Sequence, residues 1–202
     1  MLTRFATAAG LLALSTGLAL AQTPAPSPTP AHKAEQPATT GTTPSDAQAT
    51  KDMKEWQVAK MSKVSLAQAL QTAESQGEKG RAIDADFEKA DSKNPNHYSI
   101  KVVYPDGKLV EYGVNADTGA LYKSENQPIE RYFTRLKTAD FQNAKTSLKD
   151  AIALAEQHAG GGKAYEAEVE RDGSAVQYEI SVALADRTQE VKIGPDGKVV
   201  GK

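Results

Sequence analysis

Two helices are predicted where apolar residues recur with the spacing of one helical face. The first set is Leu66, Ala69, Leu70 and Ala73, and the second is Leu148, Ala151, Ile152 and Ala155. Each set follows a serine, Ser65 or Ser147, and serine is a favoured N-cap residue. Gln68 and Asp150 stand three residues after these serines, so each can bond back to the amide of the cap residue, as in a capping box.

After each helix the apolar residues alternate with polar ones, which predicts β-strands. The inward positions of the predicted strands are Ile83, Ala85 and Phe87; Tyr98, Ile100 and Val102; Val110, Tyr112 and Val114; Tyr165, Ala167 and Val169; Tyr178, Ile180, Val182 and Leu184; and Val191 and Ile193. Turn sequences such as Pro105–Gly107 and Pro195–Gly197 separate them. The predicted fold class is therefore α+β, with each helix packed on a short antiparallel β-sheet whose other face is solvated.

The two helix-and-strand stretches are copies of each other in sequence. Residues 65–74 align with residues 147–156 at an offset of 82, and residues 80–89 align with residues 162–171 at the same offset. Farther along the offset drifts, so that Tyr98–Val102 aligns with Tyr178–Val182. Blocks that stay in register without a gap indicate two tandem repeats of one structural unit.

The repeats divide the chain into segments. We expect a first repeat at residues 51–126, a connector at residues 127–145 and a second repeat at residues 146–202. The connector carries five large apolar side chains at helical spacing, which predicts an ordered segment that packs the repeats together: Ile129, Tyr132, Phe133, Leu136 and Phe141. Trp56, Tyr132 and Phe133 lie outside the repeated pattern and are candidates for an exposed aromatic surface.

The first 50 residues have a different character. Arg4, the apolar run Leu11–Leu20 and the small residues at Ala19 and Ala21 predict a secretory signal peptide at residues 1–21. Residues 22–50 are rich in Pro, Thr and Ala and nearly lack larger apolar side chains, which predicts a disordered tether. We therefore expect a periplasmic or secreted protein without a membrane anchor after cleavage.

Composition narrows the possible functions. The chain has a formal net charge of −2 and a pI near 6.0, and removal of Arg4 with the signal peptide would bring the charge to −3. Nucleic-acid binding is not expected, because it requires a basic surface. The chain contains no cysteine, which excludes disulfides, thiol chemistry and thiolate metal sites. No cofactor is expected.

Acidic residues occupy the outward phase of the first strand in each repeat. They are Asp84, Asp86 and Glu88 in the first copy and Glu166, Glu168 and Glu170 in the second. Carboxylates two residues apart on one strand stand about 7 Å apart, too far for one strand to enclose a calcium ion without help from other elements. Three interpretations stay open: a surface for a basic protein, a surface for a cation, or a solvated strand face paired with Lys101 and Arg81.

Motifs for catalysis are weak. Asp117-Thr118-Gly119 has the form of an aspartic peptidase motif, but the second repeat offers only Pro195-Asp196-Gly197, so both are predicted to be turns. The histidines, His32, His97 and His158, do not have metal-ligand spacing. We therefore predict that the protein is not an enzyme.

The serine-capped helix with alanines at fixed positions, the strands that follow it and the closing turn at Asn115–Gly119 or Gly194–Gly197 together resemble the PepSY domain. The resemblance covers about residues 64–123 and 146–202. It implies a small module found in propeptides of secreted metallopeptidases and in separate exported proteins, with proposed roles in inhibiting peptidases or binding other proteins. No metallopeptidase sequence follows within the 202 residues, so the resemblance implies action on a separate molecule.

Two functional hypotheses result. The first is a non-catalytic protein-interaction module of the cell envelope or exterior, with a peptidase as one candidate partner. The alternative is an envelope protein that binds a cation or small ligand through the acidic strands.

Overall fold

The computed structural model describes residues 50–201, apart from the side chain of Phe133. The predicted signal peptide, residues 1–21, and all but the last residue of the predicted tether, residues 22–50, lie outside the described residues. A search of the described helices for one with the length and apolar character of a membrane span found none.

The described chain contains two groups of elements, each with helices first and a run of strands after them. The α-helices are α1 (Glu55–Met61), α2 (Leu66–Glu74), α3 (Pro128–Phe133) and α4 (Leu148–His158), and a short 3₁₀ helix spans Thr138–Phe141. The strands are β1 (Arg81–Glu88), β2 (His97–Val103), β3 (Leu109–Asn115), β4 (Leu121–Asn126), β5 (Lys163–Asp172), β6 (Ala175–Ala183) and β7 (Thr188–Ile193).

All seven strands belong to one antiparallel sheet with the order β4-β3-β2-β1-β5-β6-β7. The α+β class is confirmed. The sequence pattern predicts a separate short sheet for each helix, whereas in the structure the pairing of β1 with β5 joins the two groups of strands into one sheet. Strand β4 was also not predicted, because only its first residue, Leu121, packs against the core and the strand lacks an apolar alternation.

The N-termini of the two long helices are capped by the predicted serines. The Ser65 hydroxyl accepts from the Gln68 amide, and the Gln68 side chain accepts from the Ser65 amide at 2.9 Å. Ser147 likewise accepts from the Asp150 amide, but the Asp150 carboxylate accepts from the Ser147 hydroxyl at 2.7 Å. The predicted reciprocal capping box is therefore present in α2, while in α4 the shorter Asp150 side chain bonds to the hydroxyl.

The core lies between one face of the sheet and the helices α2 and α4, which also contact each other. The apolar positions predicted for both helices are buried. The four tyrosines predicted to point inward, Tyr98, Tyr112, Tyr165 and Tyr178, are each at most 9% exposed. Because burial of a large side chain contributes about 1.5–3 kcal/mol, this shared core is the main stabilising feature of both groups of strands.

Each group of strands contains a β-bulge at a corresponding position. The register of β1 with β2 shifts between Ala82 and Asp84, which leaves Ile83 as the extra residue. The register of β5 with β6 shifts between Ala164 and Glu166, which leaves Tyr165 as the extra residue. A bulge changes which residues share a face, so the side chains of Asp84 and Glu166 start the polar face of their strands.

Two hydrogen bonds also occur in both groups. The Glu74 carboxylate accepts from the Ala82 amide at 2.9 Å, and the Glu156 carboxylate accepts from the Ala164 amide at 2.8 Å. These bonds tie the end of each long helix to the start of the strand that follows it.

A second pair of bonds ties the strands back to the helix starts. The Tyr98 hydroxyl donates to the Val64 carbonyl at 2.8 Å, and the Tyr178 hydroxyl donates to the Thr146 carbonyl at 2.5 Å. Val64 and Thr146 each directly precede the capping serine. Both tyrosines are fully buried, so these bonds satisfy polar groups inside the core.

The connector is ordered by side-chain contacts to the sheet. Arg131 of α3 donates from Nε to the Gly107 carbonyl at 2.7 Å and from Nη1 to the Thr134 carbonyl at 2.6 Å. In the 3₁₀ helix, Asp140 forms an ion pair with Arg171 at 2.6 Å, and Phe141 is buried. The chain therefore passes from β4 to α4 along a path held against the ends of several strands.

Candidate functional site

Four of the six predicted acidic residues meet at the centre of the sheet. Strands β1 and β5 pair through only three residue pairs, Asp84 with Glu168, Ala85 with Ala167 and Asp86 with Glu166. The alanines point into the core, so the carboxylates point to the opposite side of the sheet. We call the surface formed by Asp84, Asp86, Glu166 and Glu168 the acidic face.

Neighbouring strands extend the polar rows on both sides. Lys101 lies opposite Asp84 and Ser99 lies opposite Asp86 on β2. Glu179 lies opposite Glu168 and Ser181 lies opposite Glu166 on β6. Glu179 thus adds a fifth carboxylate that the sequence interpretation missed; its outward phase is visible in the sequence, but its neighbour across the sheet is not.

Lys101 is the cation most closely engaged with the acidic face. Its Nζ atom lies 2.6 Å from an Asp84 oxygen and 2.8 Å from a Glu130 oxygen of α3. Burial opposes the charge of this lysine, but the hydrogen bonds with Asp84 and Glu130 outweigh burial and raise the pKa of Lys101. This contact confirms the predicted role of Lys101 as a partner and also attaches the connector to the sheet.

Asp86 carries the most perturbed carboxyl group on this surface. Burial raises the pKa of Asp86 to about 8, and the charges of Asp84 and Glu166 and a hydrogen bond with Asp84 act in the same direction. Lys101 opposes the shift but does not cancel it. Burial and the neighbouring carboxylates therefore both favour the protonated form of Asp86.

Glu168 is affected in the same direction. Partial burial raises its pKa, as do the charges of Asp84, Glu170 and Glu179. Glu168 therefore lies between carboxylates on both neighbouring strands, an arrangement that is electrostatically unfavourable without a cation or a basic partner nearby.

The other two predicted residues have separate surroundings. Glu88 lies at the end of β1, where its carboxylate is 3.3 Å from Nε2 of the buried His97. Glu170 accepts from the Gln177 amide group at 2.9 Å and lies 3.6 Å from Nζ of Lys192. The predicted set of six is therefore divided by the structure into a central group of four and two residues with local partners.

The acidic face forms a half-open depression. Its lining residues are Asp84, Asp86, Glu166, Ala167, Glu168, Glu179 and Ser181. Among residues 50–201, three or more His, Asp or Glu side chains do not converge closely enough anywhere to hold a metal ion. Binding of a cation at the acidic strands stays a prediction.

The Asp117-Thr118-Gly119 sequence forms a turn, as predicted. The Asn115 side chain accepts from the amides of Asp117 and Thr118, each at 2.9 Å. Gly119 has φ +72, a conformation that glycine adopts without a Cβ clash. The turn geometry explains these residues without a catalytic role.

A serine–lysine contact lies at the end of α1. Lys163 Nζ is 2.7 Å from Ser62 Oγ and 2.5 Å from the Ser62 carbonyl, and burial lowers the pKa of this lysine. The Ser62 hydroxyl lies 2.6 Å from the Ala59 carbonyl, to which it donates. Because the hydroxyl proton is engaged with the backbone, the contact fastens α1 to β5 and does not present an activated nucleophile.

The three candidate exposed aromatics differ in their surroundings. Trp56 is partly buried against the core. Tyr132 is 86% exposed on α3, and Ile129, three residues earlier, is 79% exposed. The side chain of Phe133 lies outside the described structure. An exposed apolar pair therefore lies within the connector, beside the Lys101–Glu130 contact.

Comparison with protein families identifies one segment of the chain. The model of the family described as "Peptidase propeptide and YPEB domain" matches residues 63–125. Residues 63–125 thus match the PepSY domain. This domain comprises α2 and β1 to β4, so the resemblance inferred for the first repeat is confirmed.

Other comparisons add little to the PepSY assignment. A crystal structure of a candidate lipoprotein of Clostridium difficile 630 is 17% identical in sequence, with a TM-score of 0.41 over 69% of this chain and 92% of the other. At this level the likeness carries no argument about fold or function. A comparison with curated proteins found no match.

Proposed function

We propose that the chain is an exported, non-catalytic protein-binding module made of two tandem PepSY-like repeats, and that its acidic face contacts a basic surface of another envelope or secreted protein. A peptidase is the first partner class to test, because the description of the family that matches residues 63–125 names peptidase propeptides. The concentration of carboxylates at the β1–β5 pairing is the observation that carries the proposal.

The tandem arrangement is supported by features that repeat at matching positions. The bulges at Ile83 and Tyr165 are 82 residues apart. The acceptors Glu74 and Glu156 have the same separation. Independent folding of unrelated segments would not be expected to reproduce these details, so the region beyond the family match is best interpreted as a second copy of the PepSY unit.

Charge complementarity supports a basic partner. Asp84, Glu168 and Glu179 lie side by side on three strands, with Lys101 at one end of this row and Lys192 at the other. Burial and then repulsion between carboxylates raise the pKa of Asp86 and Glu168, and a basic side chain placed over the centre would relieve the repulsion. Electrostatic attraction of this kind also speeds association and makes it sensitive to salt.

A non-catalytic role agrees with the chemistry of the described residues. The Asp117 turn and the Ser62–Lys163 contact each have a structural explanation. The depression at the acidic face is lined by five carboxylates, Ala167 and Ser181, and this set does not combine a nucleophile, a base and an orienting group as catalysis requires.

The test uses the immobilised chain from Gln22 to Lys202 and the envelope and secreted proteins of the organism that produces it. One variant neutralises the acidic face with D84N, D86N, E166Q and E168Q. A matched control neutralises four exposed carboxylates elsewhere with D52N, E78Q, D172N and D186N, so both variants change the net charge equally. Retained proteins are identified and quantified by mass spectrometry at low and high salt.

We expect a specific partner to be retained by the wild type and the control but lost, by about tenfold or more, from the acidic-face variant, since several charge pairs would be removed. A retained peptidase is then assayed for stoichiometric inhibition by the wild-type chain. Equal retention by both variants, or retention of no specific protein, contradicts the proposal.

A further inference from the structure

Strand β4 forms one edge of the sheet and pairs on its inner side with β3 alone. Its residues from Ser124 to Asn126 are exposed. An exposed edge strand presents unpaired backbone amides and carbonyls, which can pair with another strand.

The ladder between β3 and β4 determines which residues of β4 present these groups. The Gln127 amide donates to the Leu109 carbonyl at 2.8 Å, which makes this a hydrogen-bonded pair. Hydrogen-bonded and non-hydrogen-bonded pairs alternate in an antiparallel ladder, so Glu125, opposite Glu111, also bonds inward. Ser124, opposite Tyr112, is a non-hydrogen-bonded residue, and its amide and carbonyl therefore point away from the sheet.

We propose that β4 pairs antiparallel with β4 of a second copy of this chain, with Ser124 at the two-fold axis. Residues whose backbone amide and carbonyl point away from the sheet must lie opposite each other in such a pairing. A register centred on Ser124 satisfies this requirement. Each Ser124 amide then donates to the Ser124 carbonyl of the other copy. The contact is isologous, as in most homodimers.

Charge selects this register over its neighbours. With Ser124 at the centre, Lys123 of each copy lies opposite Glu125 of the other. A shift of one residue in either direction centres the pairing on Lys123 or on Glu125 and places like charges opposite each other. Charged residues usually protect edge strands from pairing, but a Lys and a Glu two residues apart are self-complementary in this one register.

Both charged side chains are accessible for such a contact. Lys123 is 40% exposed and Glu125 is 57% exposed, and within one copy Lys123 contacts Glu111 at 2.9 Å and Glu125 at 3.2 Å. The second copy would add Glu125 on the far side of each lysine and so extend this network across the edge.

The centre of the sheet offers a comparison within the same molecule. Strands β1 and β5 also meet antiparallel, over three residue pairs with like charges opposite each other. Strand β4 is six residues long and would meet its copy with opposite charges facing. The proposed contact therefore has a longer and electrostatically better edge than one the fold already uses, although it lacks the shared helical core.

The experiment measures self-association of residues 22–202 by sedimentation equilibrium over concentrations from about 1 µM to about 1 mM, the range in which a contact of this size is detectable. We expect a monomer–dimer equilibrium for the wild type. E125K and K123E should each weaken the dimer by about tenfold or more, because each places like charges opposite each other twice. The double variant K123E/E125K reverses the pattern and should recover most of the lost affinity.

Backbone pairing is tested at Ser124. S124P removes an amide that points away from β3, and proline is tolerated at such edge positions, so the fold should persist by circular dichroism while the dimer is lost. S124A keeps the amide and should dimerise like the wild type. None of these variants alters the acidic face, so their outcome is independent of the proposed partner binding.

Three results would overturn the proposal: a wild type that stays monomeric to the highest concentration, an E125K variant that dimerises as well as the wild type, or an S124P variant that remains dimeric. A monomeric wild type whose capture of an envelope protein is reduced by S124P would assign the edge to a strand of another protein instead of a second copy.

Discussion

Ala85 lies directly opposite Ala167 at the centre of the sheet, and the two residues are separated by 82 positions, the offset at which the helices and first strands align in sequence. Each residue thus pairs with its own sequence counterpart. The pairs on either side necessarily bring Asp84 against Glu168 and Asp86 against Glu166. Equivalent acidic residues, which each protrude from one strand, therefore become a single charged surface when the two strands meet.

Stability should fall as the pH rises through the neutral range. The pKa of Asp86 is raised from 3.8 to about 8, so the folded state holds a proton that the unfolded state releases above its lower pKa. The stabilising contribution is complete below about pH 4 and is lost as the pH rises to about 8. After solvent screening is allowed for, the expected loss in free energy of unfolding is on the order of 1 to 3 kcal/mol.

Urea unfolding at pH 5, 7 and 9 measures this dependence. D86N, which cannot ionise, should flatten the curve and be more stable than the wild type at pH 9. Glu168, whose pKa is also raised, should leave a smaller slope in the same direction. An unchanged slope in D86N would show that Asp86 is not the group responsible.

Removal of the Lys101 ammonium should destabilise the fold and loosen the connector. In K101M the carboxylates of Asp84 and Glu130 lose a shared partner at 2.6 and 2.8 Å. Because the lysine is only 23% exposed, the expected cost is about 1–3 kcal/mol. Hydrogen exchange measures both effects, and residues 128–134 should exchange faster in K101M than in the wild type.

Lys108 provides the control, since its ion pair with Asp106 is exposed on both sides. K108M should change stability much less than K101M does, because solvent screens an exposed ion pair. Equal effects of K101M and K108M would contradict the role assigned to Lys101.

The two helix-to-strand bonds should contribute equally to stability. E74A and E156A each remove the acceptor for a buried amide, at Ala82 or Ala164, and each should cost about 1–3 kcal/mol in urea unfolding. E74Q and E156Q retain an acceptor oxygen and should lose less. E78A, at an exposed residue, is the control. A large cost at one glutamate and none at the other would weaken the interpretation of the segments as repeats.

Gly162 should tolerate alanine much less well than Gly160. Both glycines have positive φ, +112 and +80, so both substitutions incur a conformational cost of about 1 kcal/mol or more. At Gly162 a Cβ would also lie 2.8 Å from the Ala183 carbonyl oxygen, whereas at Gly160 it would meet nothing within 4 Å. Thermal unfolding of G162A and G160A should show G162A to be less stable by about 1–3 kcal/mol.

If the two variants unfold at the same temperature, the backbone near Ala183 can move to accommodate the methyl group. The comparison is informative because the residues are two positions apart in the same turn and differ mainly in their surroundings.

Local features of this fold could be inferred from sequence because they depend on neighbouring residues. The serine caps, the inward phase of Tyr98 and Tyr178 and the turn at Asn115–Gly119 were all predicted, and each is produced by interactions within a few residues or by burial of one side of an element. Strand β4 was not predicted, since its order depends on hydrogen bonds with β3 rather than on an apolar pattern of its own.

The acidic residues also combine a feature that the sequence predicts with one that depends on strand pairing. Their outward phase on each strand follows from alternation, and the sequence identified all six by that phase. Which of them meet depends on the β1–β5 register, and this register gathers Asp84, Asp86, Glu166 and Glu168 while leaving Glu88 with His97. Glu179 joins the group only through its position on β6.

The sequence by itself thus determined the α+β class, the PepSY resemblance of the first half and the residues that face solvent, because helical and alternating periods and short-range caps are encoded locally. The tertiary structure decided that the strands form one sheet, that like charges meet at its centre and that β4 remains as an edge. The joining of the sheet and the meeting of like charges arise from pairing between residues about 80 positions apart. Backbone hydrogen bonds fix which residue of one strand lies opposite each residue of the other, whereas side-chain periodicity along one strand does not specify that partner.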